Sequence, residues 1–323
     1  MATIRQRIRK VALLEQLGPG LITGAADDDP SGIATYSQGG AQLGFGLLWT
    51  LLLTYPLMTA IQLVSARIGR VTGAGLAKNL TEVLPGWAVT TLVGLLFFAN
   101  TINIGADLAS MGEAAQLATG FGRHIFTLVF AVVSLTLQMF VPYSRYSRVL
   151  KWLTLALLAY VAVLFVVRVD WSAAARGLVP GPASFGKDAV VTIVAIFGTT
   201  ISPYLFFWQS AQEVEEMEED PTAEPLNVAP RQGGRELLRI RIDTFSGMAI
   251  SNLIAMAIMI STAATLHAAG HTQINTAAEA ASALRPIAGP FAFMLFSLGI
   301  VGTGLLAVPV LAGSAAYAIG EAR

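Results

Sequence analysis

Three consecutive carboxylates, Asp27, Asp28 and Asp29, stand directly before Pro30, Ser31 and Gly32 in the middle of the otherwise apolar stretch GPGLITGAADDDPSGIATYSQGG, Gly18 to Gly40. A carboxylate at bilayer depth costs roughly 2.5 to 3.5 kcal/mol on insertion scales, so it must face protein, water or an ion rather than lipid. The simplest reading is a solvated turn between two segments, but the lengths oppose it. Leu17 to Ala26 would rise only about 15 Å as a helix, half of a hydrocarbon core of about 30 Å. Ile33 to Phe45 supplies the other half. The stretch therefore reads as one membrane passage made of two half-helices with an unwound centre. Pro30 lacks a backbone N–H and Gly32 tolerates unusual dihedrals, and irregular backbone is allowed at this depth only where it lines a cavity or is packed in protein. The centre is a candidate site.

The membrane assignment rests on composition. Of 323 residues, 54% are hydrophobic and 12% charged, and mean hydropathy is +0.65, outside the range of soluble domains. Formal net charge is zero and basic residues are dispersed, which gives no footprint for nucleic acid. The sequence has no cysteine, excluding disulfides, thiolate metal sites and iron–sulfur clusters. The basic N-terminus lacks a small-residue cleavage site behind a compact apolar run and is not read as a signal peptide.

Eight passages follow in order. The broken first is succeeded by Leu47–Ala66 with a kink at Pro56, then Trp87–Ala109, Ile125–Val141 and Val149–Val167. The sixth covers 188–212 with an interruption at Ser202 and Pro203, and Phe245–Leu266 and the Gly- and Ala-rich Ile287–Ala318 complete the set. A cytoplasmic N-terminus puts Arg5, Arg7, Arg9, Lys10, Arg67, Arg70, Lys78, Arg145, Arg148, Lys151, Arg231, Arg235, Arg239, Arg241 and Arg323 inside, and Arg123, Arg168, Arg176, Lys187 and Arg285 outside. This split fits the positive-inside rule only if residues 17–45 cross once. Trp49, Trp87, Trp152 and Trp171 fall near span ends, as interfacial anchors do.

The sixth passage repeats the logic of the first. In IFGTTISPYLFFWQS, Pro203 breaks an apolar run beside small polar residues. Alone it would pass for a transmembrane kink. Two interrupted helices five passages apart, crossing in opposite directions, point instead to inverted repeats and a binding site at the midplane.

GPGLITGAADDDPSGIATY resembles the first-helix signature of the Nramp family of divalent-metal transporters, built around Asp-Pro-Gly-Asn. GTTISPYLFFWQS resembles the family's sixth-helix segment around Met-Pro-His, and ADLASMG is a further match in the third span. The resemblance implies an all-α polytopic membrane protein with the LeuT-like inverted-repeat fold and broken helices 1 and 6. It places a cytoplasmic segment at 1–16, a first five-helix repeat at 17–168, an extracellular connection at 169–187 and a second repeat at 188–323, with a cytoplasmic loop at about 213–240. The family has ten core helices, and eight are counted here. The expectation is a truncation at the C-terminus relative to the family, or completion by helices of another polypeptide.

Position by position, Asp29 falls on the family's metal-binding aspartate and Pro30 on its proline. Ser31 replaces a glycine, and Gly32 replaces the asparagine that supplies an amide oxygen. Ser202 replaces the methionine ligand and Tyr204 the histidine, and Gln209 stands where a second histidine is usual. Asp107 matches an acidic residue linked to proton movement; Ser110 replaces its acidic partner, and Glu113 lies one turn on. The implied metal ligands are Asp29, Ser202 and the exposed carbonyls near Ala26 and Thr200. Asp27 and Asp28, with Gly32, Tyr204 and Gln209, stand behind the ligands or on the cation's way in. Asp27 and Asp28 are equally read as acceptors for the freed N–H groups of the second half-helix. Asp107 and Glu113 either carry protons or line a wet cavity.

Losing the thioether leaves an all-oxygen site, which suits Mg²⁺ and Mn²⁺ better than softer metals. The expected activity is alternating-access transport of Mn²⁺, Fe²⁺ or Mg²⁺ across the plasma membrane, with the metal as substrate, no resident cofactor, and lipid as the surrounding partner. A cation-coupled carrier of a small solute and a non-transporting membrane scaffold are the alternatives. No nucleophile–base arrangement suggests an enzyme. His267 and His271 have metal-binding spacing but border the polar run HTQINTAAE, which reads as a loop end. EVEEMEED, Glu213 to Asp220, reads as a solvated helix end rather than a cation-gathering mouth.

Overall fold

The computed structural model describes residues 19–141, 158–181 and 185–323, without the side chains of 286–288. All regular structure among them is helical. The first passage is two helices, α1 (Pro19–Asp27) and α2 (Pro30–Leu43), and a 3₁₀ turn at Gly44–Leu47 leads into α3 (Leu48–Thr72). Then come α4 (Leu76–Val83), α5 (Gly86–Thr119), α6 (Arg123–Phe140), α7 (Leu158–Leu164) and α8 (Trp171–Arg176). The sixth passage is again two helices, α9 (Lys187–Thr200) and α10 (Pro203–Glu219). The last two are α11 (Gly233–Thr262), extended by a π-turn at Ala263–His267, and α12 (Ala277–Glu321), which bends at Gly289 with φ 85°.

Both breaks follow one rule. A proline at the first position of a helix fits without loss, because its missing N–H would be unpaired there, but its ring pushes the preceding residue into extended backbone. Asp29 lies at φ −68°, ψ 165° before Pro30, and Ser202 at φ −82°, ψ 129° before Pro203. Each helix therefore stops just ahead of its proline and restarts on it.

Hydrogen bonds show that α1 and α2 make a single traverse along α11. Gly20 N donates to Asp243 Oδ2 at 2.7 Å in the first half of α11, and His267 Nδ1 meets Ala41 O at 2.9 Å beyond its far end. The backbone then returns: Trp49 N, at the start of α3, donates to Gly177 O at 3.0 Å, while Arg70, near its finish, donates to Glu224 O at 2.8 Å and approaches Glu236 of α11. α1 approaches α11 at glycine pairs. A Cβ on Gly24 would fall 2.3 Å from Gly247 O, a distance no side chain tolerates.

Among the described residues, six helical stretches are long and apolar enough to cross a membrane: Pro30–Thr72, which joins the first two expected passages, then Gly86–Thr119, Arg123–Phe140, Lys187–Glu219, Pro230–His267 and Gly289–Glu321. Exposed Leu95, Phe98 and Ile102 on α5 and Leu128 and Leu135 on α6 form apolar outer faces, as lipid contact requires.

The expected fifth passage lies mostly outside the described residues, as do segment 1–16, Arg145, Arg148, Lys151 and Trp152; α7 is its described part. The connection expected over 213–240 is shorter. α10 continues to Glu219 and α11 starts at Gly233, leaving 220–232 between them. The acidic run is not simply a solvated helix end either. Glu213 is fully buried, and Arg239 on α11 holds it together with Glu216 and Glu236. A buried carboxylate persists when a guanidinium answers it.

Candidate functional site

The two breaks face each other at the centre of the molecule. Asp27, Asp28, Asp29 and Asp107 are between 0% and 2% exposed. The free N–H groups at the start of α2 account for part of this. Asp29 caps that helix, its Oδ1 accepting from Gly32 N at 2.6 Å and from Ser31 Oγ at 2.7 Å. Asp107, on α5, reaches the same turn and accepts from Ser31 N at 3.2 Å. Ser31 thus ties Asp29 to Asp107, a role the sequence did not disclose. Gly32 packs tightly between the breaks: a Cβ there would lie 3.2 Å from Thr199 Oγ1 and 3.1 Å from Asp27 O.

On the facing break, Ser202 does not cap α10. Its hydroxyl turns back to Thr199 O at 2.6 Å and Gly198 O at 3.1 Å, which leaves its lone pairs free to accept or ligate. Thr200 Oγ1 pairs with Tyr36 Oη at 3.0 Å. Tyr204, in the position expected of a histidine, donates to Ala26 O at 2.8 Å. The carbonyl expected among the metal ligands is therefore shared with a hydroxyl that ties the two breaks together. Gln209 stands seven residues beyond Ser202, about 10 Å along the helix. Its Oε1 accepts from Thr23 Oγ1 at 2.6 Å, so it braces α10 against α1 away from the centre.

Several oxygens at this centre lack hydrogen-bond partners: Asp27 Oδ1, both oxygens of Asp28, and Asp107 Oδ2. Buried unpaired carboxylate oxygens are expensive and call for a counter-charge. Among the described residues, no ion pair reaches any of the four aspartates. Nor do three or more His, Cys, Asp or Glu side chains converge as a metal cage among them. A cation here would be held by one or two carboxylates together with hydroxyls and carbonyls.

A cavity of about 610 Å³ leads to this centre. Pro30 and Ser31 line it together with Ser110, Glu113, Asp188 and Asn275, at the end of the molecule away from Arg70, Arg231, Arg235 and Arg239. Glu113 sits in the wall of this passage, paired with Arg123 at 3.1 Å, and is not brought to Asp107. A second cavity of about 910 Å³ lies at the basic end, lined by Arg70, Glu213, Glu236 and Arg239. His267 and His271 form no joint site. The first holds the end of α2 at Ala41, and the second lies on a separate surface hollow with Glu279.

The fold and the centre define a polytopic helical membrane protein in which two interrupted helices oppose one another across buried carboxylates. A family model described as Natural resistance-associated macrophage protein-like, Nramp, matches residues 20–323. The protein belongs to the Nramp family. It is 30% identical over 316 residues to the divalent metal cation transporter MntH of Deinococcus radiodurans, covering 93% of its own length and 68% of that relative. It is 27% identical to the MntH protein of Aeromonas hydrophila, covering 90% and 70% respectively. Among solved structures, a manganese transporter of Eremococcus coleocola superposes with a TM-score of 0.74 at 16% identity, the match covering 96% of the present protein and 66% of that one. A variant of the same transporter superposes with a TM-score of 0.77. The fold is the LeuT-like inverted-repeat fold of these transporters, and the protein spans about two thirds of the length of these relatives.

Proposed function

We propose that this protein carries a divalent metal cation, Mn²⁺, Fe²⁺ or Mg²⁺, across the plasma membrane by alternating access. The substrate rests between the two breaks, on the carboxylate of Asp29, the hydroxyl of Ser202 and the carbonyls of Ala26 and Thr200. The observation that carries this reading is the set of four buried aspartates at the facing breaks, with unpaired oxygens and no ion pair among the described residues, Asp29 and Asp107 being bonded to Ser31 in the wall of an open cavity. Two carboxylates about 4 Å apart repel by about 4 kcal/mol at an effective dielectric constant near 20, and a cation between them reverses that sign. The MntH relatives, divalent metal cation transporters by name, agree with it.

With the N-terminus in the cytoplasm, the basic end faces inward, as the positive-inside rule expects, and the cavity at Ser31 opens outward. A hydrated cation would pass Asp188 and Glu113 in the wall, shed water at Ser31 and reach Asp29. Release inward requires α1 and α10, joined to each other at Thr23 and Gln209, to part from α11, where Asp243 and Arg239 hold them. Asp107, bonded to the same turn as Asp29, is placed to take a proton when the metal leaves; Glu113, engaged with Arg123, serves the wall of the passage.

The oxygen-only donor set favours hard ions. Side-by-side uptake of Mn²⁺ and Mg²⁺ into liposomes tests this, with comparable flux of both expected. Mn²⁺ flux with no Mg²⁺ flux would contradict the selectivity argument, and flux of neither would contradict the transport reading.

A further inference from the structure

The three consecutive aspartates are divided between two faces of the break. Asp29 meets Asp107 at Ser31, on the floor of the open cavity. Asp27 turns the other way, its Oδ2 accepting from Ser251 Oγ of α11 at 2.8 Å. Asp28 is wholly buried with neither oxygen within hydrogen-bond geometry of a partner, and Ser251 is the polar side chain beside it. Neither Asp27 nor Asp28 lines the two large cavities.

Capping does not explain them. Pro30 has no N–H; Ser31 N donates to Asp107, Gly32 N to the Asp29 carboxylate and Ile33 N to Asp29 O. The first turn of α2 is thus served without Asp27 or Asp28. What remains behind the break is three unpaired carboxylate oxygens beside the hydroxyl of Ser251. Every donor is a hard oxygen, two are formally charged, and among the described residues no Lys, Arg or His pairs with them. Small oxygen-seeking cations are the ligands such a set selects.

We infer that Asp27 and Asp28 hold a second hard cation, distinct from the one at Asp29, on the α11 side of the break, with the hydroxyl of Ser251 as a neutral neighbour. The inference rests on the reading of the break as a cation-binding centre. Na⁺ and a second divalent ion share the required chemistry.

Equilibrium binding to the protein in detergent tests it, with ⁵⁴Mn²⁺ and ²²Na⁺ counted per protein at constant ionic strength. Two bound cations per molecule are expected: two Mn²⁺ identify the second ion as divalent, and one Mn²⁺ with one Na⁺ identifies it as Na⁺. Asp28→Asn should remove one equivalent and leave the other. Ser251→Ala, which keeps both carboxylates, should weaken that equivalent about tenfold and guards against a folding defect in Asp28→Asn. Asp29→Asn should remove the opposite equivalent. A single equivalent in the native protein, or two that persist in Asp28→Asn, would overturn the second site. Two equivalents that persist in Asp29→Asn would overturn the placement of the transported metal and leave the second site standing.

Discussion

Ser202 is the residue at which this protein's chemistry departs most from the resemblance that its sequence carries. A hydroxyl stands where a thioether is usual, and it is turned toward Thr199 O and Gly198 O within its own break. Its lone pairs offer a hard oxygen and its small volume leaves room for water, which Mg²⁺ retains when bound. Ser202→Met restores a soft donor. We expect Cd²⁺ to gain on Mg²⁺ by about tenfold in competition uptake, about 1.4 kcal/mol of relative affinity. An unchanged ratio would remove Ser202 from the ligand set. Gly24 makes a different demand. Its hydrogen faces Gly247 O where a Cβ would stand at 2.3 Å, so Gly24→Val should destabilise by about 1–3 kcal/mol or more through overpacking. Gly46, whose Cβ would meet nothing within 4 Å, should accept alanine with little change in detergent melting temperature.

Among the helices, legibility followed the prolines. Both breaks are written in the sequence because Pro30 and Pro203 dictate locally where a helix restarts and how the preceding residue lies. The single traverse of the first passage was legible too, since half-length apolar runs and the placement of arginines required it. Which carboxylate oxygens remain unpaired was not legible. That depends on which side chains of α5 and α11 arrive at the break, and Ser251 carries no local signature beyond being a polar group in an apolar run. The acidic run misled for the same reason: its charge density suggested solvent, and only the arrival of Arg239 across 26 residues makes Glu213 a buried group. Arg239→Ala therefore leaves an uncompensated buried carboxylate and should cost about 3–5 kcal/mol. Adding Glu213→Gln should recover much of that loss, and thermal unfolding of the two single variants and the double variant measures the coupling. Independent, additive losses would contradict the pairing.

At the scale of the whole molecule, one cavity has Pro30 and Ser31 of the break in its wall, while at the basic end a second cavity is lined by the Arg239 cluster and does not include the residues of the breaks. With no native cysteine, the protein is a ready background for accessibility mapping. Ser110→Cys, in the wall of the open passage, should react with an impermeant thiol reagent added outside. Ser210→Cys, fully buried on the inner side against Gly69, should stay protected until the inner side opens; equal reactivity of the two would contradict an outward-open resting form. The central claim is that a metal crosses by way of Asp29, and the most direct measurement is ⁵⁴Mn²⁺ uptake into liposomes holding the native protein or Asp29→Ala at equal protein content. We predict saturable uptake by the native protein and uptake no greater than that of empty liposomes by the variant. Undiminished uptake by a folded Asp29→Ala protein would contradict the account.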